Sequence, residues 1–124
     1  MKTLSITILL VLGCFAFSPV LQAARDAGQP TFTQIDVPGS VFTVANGINA
    51  QGDIVGSTID SSGNDHGFLL SGGRYTTIDF PGAVATDLND INPSGDIVGQ
   101  YADSDGNEHG FILSKSQPGI ISKQ

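Results

Sequence analysis

The chain has two histidines, His66 and His109, and each sits in the same string, Asp-Ser-x-Gly-Asn-x-His-Gly-Phe-x-Leu-Ser, at residues 60–71 and again at 103–114. A histidine here could serve as a general acid–base group or as a metal ligand. A residue that recurs in step with turn glycines serves the fold first, because a catalytic centre more often belongs to one copy alone. His66 and His109 are therefore read as bonding neighbouring backbone at the start of a strand, with Gly67, Phe68, Gly110 and Phe111 as the rest of a structural signature. The loop from Asp103 to Glu108 brings several oxygen-bearing side chains around Gly106, like half of a calcium loop. Its counterpart has Ser62 where Asp105 stands, and the downstream bidentate glutamate of a calcium loop is missing. Hairpin-turn chemistry accounts for both loops without a metal.

Asn49 and Asn92 follow Ile48 and Ile91 and precede Gly52 and Gly95, a spacing that predicts an asparagine stapling a tight loop rather than touching a ligand. Asp87 and Asp90 could in principle act as paired glycosidase carboxylates, but surface-loop aspartates are far commoner. There is no G-x-S-x-G elbow, and Cys14 is the only cysteine. Tyr75 and Tyr101 are the only tyrosines and tryptophan is absent, which counts mildly against stacking on sugar rings. No catalytic residue, metal or cofactor is expected.

These residues are positioned by a repeat. Pairing residues 32–71 with those 43 positions later gives 24 identities in 40. The other shared blocks are Ile35-Asp36-x-Pro38-Gly39 with Ile78-Asp79-x-Pro81-Gly82, and Gly52–Gly56 with Gly95–Gly99. A period of this size marks stacked copies of one supersecondary unit. Short apolar runs broken by turn residues predict an all-β chain, with strands near Thr43–Ile48, Asp53–Ile59, His66–Ser71 and Arg74–Phe80 in the first unit. Pro81-Gly82 fits the centre of a type II turn. Consecutive apolar residues such as Ile54-Val55 and Phe68-Leu69 put apolar side chains on both sheet faces, so each unit must be sandwiched between neighbours. Residues 31–37 match a fourth strand that precedes the first full unit, while the last unit lacks its own. The early segment could complete the final sheet, within the chain or in a neighbouring copy.

The first 23 residues read as a secretory signal helix. Lys2 precedes an apolar run over Leu4–Phe17, and small residues follow at Ala23-Ala24. The run is shorter than the roughly 20 residues a membrane anchor needs. Val11-Leu12-Gly13-Cys14 resembles a lipoprotein box, but the chain after it stays apolar. Residues 24–31 read as a flexible lead-in, 32–115 as a two-repeat domain (32–74 and 75–115), and 116–124 as a tail. The formal net charge of −7 argues against nucleic acid or an anionic membrane surface as partner.

The string Ile-Asn-x-x-Gly-x-Ile-Val-Gly, then Asp-x-x-Gly-x-x-His-Gly-Phe, then Ile-Asp-x-Pro-Gly resembles the bacterial extracellular HAF-type repeat, with Gly67 and Gly110 in place of its alanine. The resemblance implies export and a propeller-like fold of two tandem four-stranded antiparallel blades. It implies little about activity. Two blades cannot close a ring, and so a homo-oligomer is expected. The expected function is a secreted, extracellular or periplasmic, non-catalytic module that binds a glycan or a protein. The alternatives are a remnant of a longer repeat protein and, behind it, a glycan-cleaving hydrolase.

Overall fold

The computed structural model describes residues 28–115. The expected signal helix, the first half of the lead-in (24–27) and the tail 116–124 lie outside the described residues. The chain divides into two units, Met1–Thr33 and Gln34–Gln124, and the described part of the first, 28–33, carries no strand. Among the described residues there is no helix and there are seven strands, as an all-β reading requires: β1 Ser40–Ile48, β2 Ile54–Asp60, β3 Asp65–Ser71, β4 Arg74–Ile78, β5 Ala85–Ile91, β6 Ile97–Ala102 and β7 Glu108–Leu113.

The strands form one mixed sheet curled into a half-barrel. β1 to β4 make an antiparallel meander, and β5 to β7 make a second one. A single parallel pairing, Asp65 with Ala85, joins β3 to β5. Gly72 and Gly73 both take positive φ, 56° and 78°, which a two-residue hairpin between β3 and β4 demands. The Pro-Gly turns also form as expected: Ala83 N donates to Phe80 O at 3.0 Å and Ser40 N to Val37 O at 3.1 Å.

Three expectations need correcting. Residues 31–37 are not a strand. Extended backbone becomes a strand only by pairing, and here Val37 N is taken instead by Thr43 Oγ1 at 3.2 Å. The first strand runs nine residues from Ser40, longer than the Thr43 start expected, and its irregularity is a bulge at Asn46 between Ala45 and Gly47. β5 has the matching bulge at Asn89. β4 stops at Ile78, before Phe80, whose N–H is held by Thr86 Oγ1 at 3.0 Å.

The core lies where β5 meets the face of the first meander. Val55 and Leu88 are fully buried and Ile91 and Ile97 nearly so, with Leu69, Ile78 and Phe111 packed around them. Glycine permits this approach. A Cβ on Gly67 would stand 2.7 Å from Leu88 Cγ, and one on Gly47 2.8 Å from Asp90 Cα. Burying Val55 and Leu88 from water is worth about 1.5–3 kcal/mol each. The sheet is apolar on its outer faces too: Ile48 is 65% exposed and Ile112 71%.

Candidate functional site

Asp60 closes β2 and organises the turn that follows. Its Oδ1 accepts from Ser62 N at 2.8 Å and Asn64 N at 2.9 Å, and its Oδ2 accepts from Asn64 Nδ2 at 2.9 Å. Asp60 N in turn donates to Asn64 O at 3.0 Å. The Asn64 side chain, then its backbone, hold the carboxyl down to about 2. Two positions on, His66 enters β3 with its Nε2 3.4 Å from Asp60 Oδ2 and its Nδ1 2.9 Å from Asp79 Oδ2. Asp79 reaches it because the β3–β4 hairpin brings the residue after Ile78 back beside the start of β3. The hydrogen bond that Asp79 accepts from the ring raises the His66 pKa, partly opposed by desolvation. The imidazole therefore bridges two carboxylates rather than the backbone groups expected from the sequence.

A recess of about 240 Å³ opens beside this bridge, with Ser40, Thr58, Asp60, His66 and Thr77 on its polar wall and the Val37–Gly39 turn at its rim. Thr58 is only 5% exposed and donates from Oγ1 to Phe42 O at 2.8 Å. The same place in the second repeat is filled. Tyr101 stands where Thr58 does and Phe80 where Val37 does, and their rings stack at 3.7 Å with planes 3° apart. His109 also stacks on Tyr101, with ring centres 5.0 Å apart, and its Nε2 is 3.0 Å from Asp103 Oδ2. Asp103 keeps the turn geometry of Asp60, and its pKa is lowered first by His109 and then by the Asn107 backbone. No partner for His109 Nδ1 occurs among the described residues.

Asn49 and Asn92 staple their loops as the spacing predicts. Asn49 Oδ1 accepts from Gln51 N at 3.1 Å and Asp53 N at 2.9 Å, and Asn92 Oδ1 accepts from Asp96 N at 2.9 Å. Asn49 Nδ2 also reaches Asn92 O at 3.4 Å, one repeat on. Gly67 and Phe68 are buried, while Gly110 is exposed and Phe111 half-buried. Among the described residues no group of three or more histidine and carboxylate side chains is placed to hold a metal, and Asp103–Glu108 is a hydrogen-bonded turn. Asp87 and Asp90 lie on β5 rather than in a loop, correcting the sequence reading.

Sequence reasoning missed Asp79 as the partner of His66. It also missed Thr43 and Thr86, which cap the Pro-Gly turns, and Asn46, whose Nδ2 donates to Leu88 O at 2.9 Å. A signal was present, since Asp36/Asp79, Thr43/Thr86 and Asn46/Asn89 are all identical pairs across the repeat. Comparison with protein-family models, curated proteins and solved structures finds no match to this chain.

Proposed function

We propose that this is an exported, non-catalytic binding module built of two propeller-like blades of the HAF type, which self-associates to cover its outer faces. The observation that carries the reading is the recess beside His66. It offers hydroxyl, carboxylate and imidazole groups on a wall whose donors and acceptors are already fixed by turns and strand pairing. Small-molecule sites are concave, with a few convergent polar groups held rigidly, and a glycan or a polar peptide side chain suits that chemistry. Both ring nitrogens of His66 face the Asp60 and Asp79 carboxylates, so neither is left free to take a proton from a substrate. The repeat motifs support the HAF assignment, and the apolar run behind Lys2 supports export.

The exposed apolar faces favour one second reading, a remnant of a longer repeat protein that has lost its flanking units. A defined oligomer in light scattering supports the module, and an aggregating or molten single chain supports the remnant. The binding claim is tested on a glycan and peptide array with wild type and Thr58→Tyr. The variant copies the residue that fills the second repeat. Binding should fall at least tenfold while the far-UV β signal is kept. Equal binding by both proteins, or none by the wild type, rejects the recess as the site.

A further inference from the structure

The buried interface between the two repeats is a template for another one. On one side it has Val55 and Leu69, and on the other Ile78, Leu88, Ile91 and Ile97. Moved 43 positions forward, the first side becomes Val98 and Ile112, which are 43% and 71% exposed. Moved 43 back, the second side becomes Ile35, Ala45, Ile48 and Ile54, which line an open groove of about 280 Å³. One end of the molecule thus displays the face whose mate is displayed at the other end.

The polar contacts follow the same shift. Asn46 and Asn49 donate across the internal interface to Leu88 O and Asn92 O, and their counterparts Asn89 and Asn92 are exposed on the outer side of the second repeat. His66 Nδ1 takes Asp79, whose counterpart is Asp36 in the unpaired segment before β1. β7, the counterpart of β3, has nothing paired to the edge that β3 gives to β4 among the described residues. In sequence the tail carries Pro118-Gly119 where β4 has Tyr75-Thr76, and Ser122 where Asp79 stands.

We infer that copies of this chain join head to tail, the outer face of β5–β7 of one copy receiving the β1 face of the next. Residues 31–36 of the incoming copy then pair antiparallel along β7. The β3–β4 register, shifted by one repeat, sets Ile35 opposite Gly110 and Thr33 opposite Ile112, and it brings Asp36 to His109. This deepens the self-association reading above and rests on it. The occupant is a second copy because β4, which opens the second repeat and leads into β5, pairs with β3 of the repeat before it. By the same rule residues 31–36, which lead into β1, belong beside a repeat preceding the first, and residues 1–30 hold no copy of that repeat. Two differences tilt the junction relative to the internal interface. Ala45 replaces Leu88 against Gly110 and leaves room, whereas Asp90 replaces Gly47 and needs it.

The test uses two single-cysteine chains in a Cys14→Ser background, Thr33→Cys in one and Ile112→Cys in the other. Opposed residues of an antiparallel pair have Cα atoms about 4.5–5.5 Å apart, within the span of a disulfide. Mixed and oxidised, the two chains should give a 33–112 linked dimer well above the yield of either alone. Light scattering of the parent should give a multiple of the chain mass, and Ile112→Arg should reduce it to one chain with the β signal intact. Should that variant unfold, Asp36→Asn on the exposed segment serves instead, with association weakened about tenfold through loss of one charge-assisted hydrogen bond. A parent of multiple mass that links 112 to 112, or not at all, overturns the head-to-tail register and leaves self-association standing. A parent of single-chain mass overturns both and means that the edge is covered from within the chain or left open.

Discussion

Asp60 and His66 touch each other yet respond to pH in opposite senses. Asp60 is held at about 2, below the unfolded value of about 3.9, so its stabilisation is present above that value and fades as pH falls toward 2. Asp103 is shifted the same way. The His66 pKa is raised, so its contribution is complete below about 6.5 and is lost as pH climbs through the higher folded value. Asp65 is raised by burial and opposes the carboxylate trend once ionised. The urea midpoint should therefore be highest between about pH 4 and 6.5 and decline on both sides. His66→Asn should flatten the alkaline decline and leave the acid limb in place, and an unchanged alkaline limb would show that the bridge to Asp79 is not made in solution. The Asn49 staple was legible from sequence because the bonds that close its loop, to Gln51 and Asp53, lie within four residues. The bridge was not, because Asp79 is 13 residues from His66 and meets it only after a hairpin has folded.

At the scale of strands, the two signature glycines have different work. Gly67 is in contact range of Leu88 and Ile78, so Gly67→Ala forces the meanders apart and should cost about 1–3 kcal/mol in chemical unfolding. A Cβ on Gly110 would meet only Gly99 O, at 3.9 Å, so Gly110→Ala should stay within about 0.5 kcal/mol at dilutions where chains are single. Equal losses at both positions would mean that β5 does not approach β3 as described. The hairpin strands were readable because Asp-x-x-Gly-Asn and Gly-Gly fix where the chain reverses, and the apolar doublets fix what must be covered. The nine-residue length of β1 was not readable. Its alternation is broken by the Asn46 bulge, and bulges leave no composition signal in a single copy. Residues 31–37 read as a strand for the opposite reason: their pattern is strand-like, but pairing needs a neighbour that a single sequence does not supply.

For the molecule as a whole, the repeat made the all-β class legible, whereas the way the two meanders share one curled sheet depended on the single pairing between β3 and β5. The outer faces and the internal interface are the same surfaces one period apart, which is why self-association can be argued from one chain. The two repeats are nevertheless not interchangeable, since the Phe80–Tyr101 stack occupies in one what is vacant in the other. A chain carrying Phe80→Val and Tyr101→Thr should gain a second recess, seen as a doubled ligand stoichiometry in calorimetry. An unchanged stoichiometry would mean that the aromatic pair is not what closes it. On the proposed binding role the consequence is one of valency: each copy would present a single docking point, so any gain in avidity would come from the number of chains gathered, and polymeric ligands would be discriminated by a spacing of two repeats rather than one.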